Sequence, residues 1–337
     1  MLSKNLLTAS HPHRMTSEGL RMRTPAKRVR IYGNACYVTP EGKTFSGSPQ
    51  SLYYDVDDLP STDSLIAWVR EFASNLIDKK VVQMSGDDEY VGPVLIEGSR
   101  VSSTLFGNDY YRRSSISNNL TCGLNSRDKK YDSTYKSLGK KVVCKDMSVW
   151  QLGNDSIFNG HRLFGYRKYD ADGIRPASIE LIRNGILVNQ LAGRMPSPKA
   201  LKSTGNEWLG SSQDYHGYCK AGVLCISFDN AMSRDKLIKK LISMAKEQHL
   251  EYAYILGDKG NVLRVDTKTG KQEDLRLYGG INPSKSELTG DIWASKENTA
   301  DYVESAIHPK SLLFPLIEVN VSAIKPKKLG KFAELRH

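Results

Sequence analysis

The stretch Ser178-Ile179-Glu180-Leu181-Ile182-Arg183-Asn184-Gly185-Ile186-Leu187-Val188-Asn189-Gln190-Leu191 spells a β-hairpin. Asn184-Gly185 accepts the positive φ angles of a type I′ turn, and β-prone residues flank it on both sides. The same grammar recurs at 252–256 and 262–265, which Gly257-Asp258-Lys259-Gly260 separates, and Thr267-Lys268-Thr269-Gly270 makes a further turn. Runs at 90–97, 223–228 and 316–321 read as strands, and another at 29–38 stops at Thr39-Pro40-Glu41-Gly42.

Helical spacing is rarer. Ser61 and Thr62 can cap a helix on which Leu65, Ile66, Val69, Phe72, Ala73, Leu76 and Ile77 share one face, ending near Lys79. Ser233 can cap a second, with Leu237, Ile238, Leu241, Ile242 and Ala245 facing inward. Many antiparallel connections and few helices predict an α+β fold dominated by an antiparallel sheet. Residues 1–15 show no apolar period and are expected to be a loose leader. The segment 108–138, rich in Ser, Asn, Lys, Arg and Tyr, is expected to be a long exposed loop.

With 337 residues, 39% hydrophobic and 25% charged, the chain has the balance of a soluble globular protein of one large or two smaller domains. Cys36, Cys122, Cys144, Cys219 and Cys225 are odd in number and scattered, without the paired spacing of a zinc site, so they read as free thiols in a reducing compartment. No apolar run reaches the roughly 18 to 20 residues that span a bilayer, and the start is too short in apolar core for a signal peptide. A cytoplasmic protein is expected. The net charge of +11 gathers at Arg21, Arg23, Lys27, Arg28 and Arg30 and at Lys325, Lys327, Lys328 and Lys331. Nucleic-acid binding by these basic segments is a minor reading, which predicts affinity falling steeply with salt.

Four stretches, in order, resemble the TldD/PmbA family of peptide-processing proteins. Thr16-Ser17-Glu18-Gly19 looks like its strand-turn, and the run from Tyr90 to Gly98 like the strand entering its C-terminal domain. Asp172-Gly173-Ile174-Arg175-Pro176-Ala177 with Glu180-Leu181-Ile182-Arg183-Asn184-Gly185 resembles the family hairpin, and Pro309-Lys310-Ser311-Leu312-Leu313-Phe314 the closing strand. The resemblance implies that residues 16–80 hold the last part of an α/β N-terminal domain and residues 81–337 the β-rich C-terminal domain.

In active members a helix bearing HExxxH supplies two zinc ligands, a glutamate acting on the metal-bound water, and a later cysteine is the third ligand. Zinc lowers the pKa of bound water to about 7, and the carboxylate takes its proton. Here Ile96-Glu97-Gly98-Ser99-Arg100-Val101 stands in that place, so aliphatic residues replace both histidines while Glu97 remains. Glu97 reads either as a retained base or peptide-contacting carboxylate, or as a polar residue at a strand-to-helix junction, the more ordinary case for a base without its metal.

The segment 301–308 lacks the cysteine, and His308 beside Pro309 reads either as a ligand to a metal contributed by a partner or, the more ordinary case, as a surface or loop residue. His216 and Cys219 could form a Cys/His nucleophilic pair or half a metal site, but no third group orients them, and a loop with buried tyrosines is the more ordinary reading. Tyr110, Tyr111, Arg112 and Arg113 interleave aromatic and basic side chains, as single-stranded nucleic acid or a partner subunit could use.

The family pairs a zinc-bearing subunit with one that lacks zinc. By that resemblance the chain is expected to be the zinc-less partner in peptide proteolysis or maturation. No cofactor is then expected in this chain; a homo- or hetero-dimer with a TldD-like subunit is expected, zinc sits in the catalytic partner, and the substrate is a peptide or unfolded protein. Such a peptide could add to an exposed edge, with the Asn184-Gly185 hairpin a candidate. An active metallopeptidase with an unrecognised metal site is the alternative from the enzyme class.

Overall fold

The Asn184-Gly185 turn forms as its residues demand: φ is 47° at Asn184 and 80° at Gly185, and Arg183 pairs with Ile186 across it. The computed structural model describes residues 2–10, 13–15, 17–23, 26–38, 44–47, 50–77, 90–106, 116, 120–122, 137–153, 157–194, 202–208, 218–257, 261–276, 280–281, 283–301 and 305–320.

The N-terminal part is a long hairpin. β1 (Leu2–Ser10) pairs with β4 (Ala26–Val38), and β2 (His13–Met15) with β3 (Arg21–Arg23). The register that sets Leu2 opposite Asn34 and Ser10 opposite Ala26 has the same offset as the one that sets His13 opposite Arg23 and Met15 opposite Arg21. Gly19, with φ 88°, lies at the tip. The other edge of β4 carries β5 (Thr44–Gly47) and β6 (Gln50–Tyr53), and α1 (Thr62–Ile77) packs across this sheet, Phe72 lying against Gly47. Residues 2–10 are therefore a strand, which corrects the loose leader expected over 1–15. Local apolar period says nothing of a strand whose hydrogen bonds come from residues 26–34.

The remainder begins with β7 (Tyr90–Glu97), α2 (Ser99–Phe106), β8 (Thr121–Cys122) and β9 (Met147–Leu152). Short strands follow: β10 (Ile157–Phe158), β11 (His161–Arg162), β12 (Ile179–Arg183), β13 (Ile186–Leu187), β14 (Leu191–Ala192), β15 (Glu207–Trp208) and β16 (Tyr218–Cys219). Then come β17 (Val223–Phe228), α3 (Arg234–Glu247), β18 (Tyr252–Leu256), β19 (Asn261–Asp266) and β20 (Gln272–Arg276). The last are β21 (Gly280–Ile281), α4 (Lys285–Thr289), β22 (Trp293–Ala294), β23 (Asn298–Asp301), β24 (Ala306–Pro309) and β25 (Ser311–Asn320).

Two large sheets result. One runs β13-β12-β9-β17-β24-β23, the other β20-β19-β18-β7-β25-β21 with β22 also on β25. Pairing is antiparallel except at β17 with β24, β18 with β7 and β8 with β14, so the α+β class stands while the sheets are mixed. Between the sheets Val94, Ile96 and Phe314 meet Val149, Leu181, Ile182 and Ile226. On the far face of the second sheet Leu95, Ile255 and Leu313 meet Leu237, Leu241 and Ala245 of α3. Successive strand residues point to opposite faces, so Val94-Leu95-Ile96 is continuously apolar because both faces are covered.

Two expectations need correcting here. The segment 108–138 is not simply an exposed loop: Ile116 and Leu120 are buried, and Thr121-Cys122 pairs with Leu191-Ala192. Nor is the Asn184-Gly185 hairpin open to a peptide along β13. Leu187 N–H donates to Lys140 O at 3.0 Å and Gly139 N–H to Leu187 O at 2.8 Å, and Lys141 bridges Ile186.

A buried amide pair fastens the segments around the first sheet. Gln151 and Asn206 donate to one another at 3.0 and 2.6 Å; Gln151 Nε2 also reaches Ala177 O, Asn206 Nδ2 reaches Lys220 O, and Gly222 N–H donates to Gln151 Oε1. With every partner satisfied the pair specifies one arrangement; with one removed, the others are stranded. Asn206→Ala is expected to cost about 3 kcal/mol and lower the thermal unfolding midpoint by several degrees in calorimetry. An unchanged midpoint would show that water replaces the amide at no cost.

Candidate functional site

β7 carries the chain to Glu97, where the strand ends. Gly98 takes φ 66°, its N–H donating to Lys310 O at 2.9 Å, and α2 begins at Ser99. The six residues 96–101 thus straddle a strand end, a left-handed glycine and a helix start. Ile96 and Val101 are fully buried in the core between the sheets. Glu97 shares the α3-facing side of the strand with Leu95 by the two-residue period.

Arg234, the first residue of α3, meets Glu97 there. Its Nε donates to Oε1 at 2.7 Å and its Nη2 to Oε2 at 3.2 Å, while Ser311, opposite Glu97 on β25, donates its hydroxyl to Oε1 at 3.0 Å. Ser311 is itself fixed to Ser295 by a backbone bond in one direction and a bond from its N–H to the Ser295 hydroxyl in the other, both 2.9 Å. The hydrogen bond to Glu97 holds the Arg234 guanidinium above its ordinary pKa. A cation in the first turn of a helix is poorly placed against the helix dipole, and Glu97 offsets that cost. The arrangement joins β7, α3 and β25. A general base must reach a substrate proton, and three donors already hold the Glu97 carboxylate, two on Oε1 and one on Oε2.

The donor set does not fit zinc. Ile96 and Val101 carry no lone pairs, and among the described residues no group of three or more His, Cys, Asp or Glu is placed to hold a metal ion. His308 is corrected from a surface or loop residue: it is fully buried on β24, opposite Thr299. Its Nδ1 lies 2.8 Å from Pro309 O, and since a carbonyl only accepts, that nitrogen carries the proton. Cys219 is half-buried on β16 opposite Glu207. His216, the Tyr110–Arg113 stretch and the basic residues 325–331 lie outside the described residues.

Sequence reading missed a junction between distant segments. Leu20, just past the hairpin tip, lies against Gly173, where an added Cβ would meet it at 2.8 Å, and Glu18 pairs with Arg194. Tyr54 stacks on Phe164 at 4.7 Å between centroids, with Arg162 over the Tyr54 ring at 5.2 Å. Buried Asp170 shapes the receiving loop: Oδ1 accepts from Asp172 N–H and Ile174 N–H, each at 2.9 Å, and Oδ2 from Glu207 N–H at 3.0 Å. The Ser17-Glu18-Gly19 and Asp172-Gly173 stretches, both singled out in the sequence, are neighbours in space. Their remoteness in the chain hid this.

Residues 123–247 match the family model described as PmbA/TldA metallopeptidase C-terminal domain, which bears out over that stretch the TldD/PmbA resemblance read from the motifs. The fold is similar to that of TldE from Thermococcus kodakarensis (TM-score 0.56, 12% identity, 91% of this chain and 66% of that one). It is also similar to two proteins named as candidate modulators of DNA gyrase. The one from Thermotoga maritima has a TM-score of 0.54 and 16% identity, with 90% of this chain and 65% of that one covered. The one from Bacteroides thetaiotaomicron has a TM-score of 0.51 and 13% identity, with 91% and 63% covered. The chain therefore spans slightly less than two thirds of the length of these structures. No curated protein matches it by sequence.

The joint reading of Glu97 is tested by a double-mutant cycle with Glu97→Gln and Arg234→Met, followed by denaturant unfolding. With Arg234 43% exposed, solvent screens the pair, and a coupling of about 1 kcal/mol that shrinks in high salt is expected. Additive single mutants would show that the contact ties nothing together.

Proposed function

We propose that the chain is the zinc-less member of a TldD/PmbA-type pair acting in peptide proteolysis or maturation. The observation that carries this reading is the state of the 96–101 segment. Aliphatic side chains at both histidine positions are sealed in the core, and the glutamate between them is clamped by Arg234 and Ser311. A TldE-like fold over most of the chain supports it. Zinc, and the hydrolysis that zinc-bound water performs, would come from the TldD-like partner.

This chain would complete the cavity and hold an extended peptide. The first sheet's hairpin edge is closed by residues 139–142, so β20, the terminal strand of the second sheet, is the better candidate for strand addition. The proposed setting is the cytoplasm. Cys36 and Cys144 are free thiols, and among the described residues no helix is long and apolar enough to cross a membrane.

Co-expression with an HExxxH-bearing family member, purification through a tag on one chain, and assays of zinc and peptide cleavage test the reading. Co-purification with cleavage only by the pair is expected. Cleavage by this chain alone would replace the reading with that of an active metallopeptidase.

A further inference from the structure

The sheet on which α1 packs does not seal the helix. Phe72 lies against Gly47, and Leu65, Trp68, Val69 and Ala73 share that side, yet all five stay half-buried. On the opposite side Asp63, Ile66, Ala67, Arg70 and Ser74 are all exposed, Ile66 at 43%. At about 100° per residue these five fall within about 100° of arc, so they form one stripe along the outer pole of the helix. Ile66 and Ala67 sit in its middle, with an acid one turn before them and a base one turn after.

Neither charge is used within the helix. The positions three and four residues from Arg70 hold Ile66, Ala67, Ala73 and Ser74, and those after Asp63 hold Ile66 and Ala67, so no ion pair can form along α1. Among the described residues neither side chain is in a salt bridge. Asp63 lies in the first turn, where a carboxylate suits the helix dipole, but Arg70 in the middle gains nothing from it. The other acids nearby do not answer Arg70. Glu71 is turned about 100° away around the helix. Asp57 and Asp58 belong to the single turn 56–58, where Asp58 closes a capping box with Asp55.

The order acid, apolar, apolar, base is its own complement under a two-fold axis. An antiparallel copy turned about an axis between Ile66 and Ala67 sets each Asp63 beside the other copy's Arg70, and each Ile66 on the small Ala67 opposite. A parallel copy would set acid on acid and base on base, so the stripe selects one orientation. Positions 63, 67, 70 and 74 recur at the spacing of a helix-packing seam, and small residues at 67 and 74 let the two axes approach closely.

We propose that α1 is a self-association surface: the stripe of Asp63, Ile66, Ala67 and Arg70 docks antiparallel on the same stripe of a second copy of this chain. The contact is made by the N-terminal part and does not depend on the pairing proposed above. Burial of Ile66 and Ala67 supplies the attraction, and the two symmetric ion pairs fix the orientation. A stripe of about three helical turns covers less than the roughly 1,200 Å² of a lasting interface, so the dimer is reversible and depends on concentration.

Sedimentation velocity of the purified chain over a wide range of concentration is the test. The chain should pass from monomer to dimer as concentration rises. Asp63→Lys leaves two bases on the stripe and Arg70→Glu two acids, so each variant alone should dissociate about tenfold more readily or worse. The two variants mixed should recover the dimer, because each base then faces an acid across the axis. Ile66→Glu should abolish it, and Lys239→Glu on α3 should leave it unchanged. All these positions are exposed, and circular dichroism verifies that each variant folds. A chain that is monomeric at every concentration overturns the proposal. So does a dimer that neither charge variant weakens, or a mixture that fails to recover it. Capture of an HExxxH-bearing family member by a monomeric chain, lost on Ile66→Glu, would also overturn it by assigning the stripe to that partner.

Discussion

β7 is buried on both faces, and that constraint organises the rest of the C-terminal part. Val94 and Ile96 enter the core between the sheets while Leu95 enters the core beneath α3, so a single run of apolar residues is shared by two packed layers. Its neighbours β18 and β25 fix it from either side. Where the strand leaves the core, the next α3-facing residue is Glu97, and a carboxylate at that depth needs donors. Arg234 and Ser311 supply them, and in doing so set the start of α3 and of β25 relative to the strand. Position 97 is thereby explained by the fold.

The same constraint accounts for positions 96 and 101. Each is wholly buried among apolar side chains, where imidazoles would need hydrogen-bonding partners or a metal to justify burial. Isoleucine and valine there fill space. Residues 123–247 match a metallopeptidase C-terminal domain, and outside that stretch, at 96–101, the described side chains Ile96 and Val101 are given over to packing.

What could be read from the sequence followed from locality. Asn184-Gly185 carries its turn within two residues, and Leu237, Leu241 and Ala245 carry the inner face of α3 within one helix. Residues 2–10 could not be read because their strand is made by pairing with 26–34, and Ile116 and Leu120 were lost in a polar stretch without an apolar period. His308 was misjudged since a lone histidine beside a proline says nothing of the strand that encloses it. Glu97 was found, but its partner Arg234 lies far along the chain, and no periodicity links the two. The meeting of Leu20 with Gly173 was hidden for the same reason, although both glycine-turn stretches were noticed separately.

The central claim is that segment 96–101 serves packing and cannot hold zinc. Zinc content of the isolated, tag-free chain, measured by elemental analysis after equilibration with zinc and exhaustive dialysis, addresses it most directly. The account predicts far less than one zinc per chain, with no change on Glu97→Gln. Stoichiometric zinc that Glu97→Gln releases would contradict it, since a metal would then be held where the structure places a salt bridge and two buried aliphatic side chains.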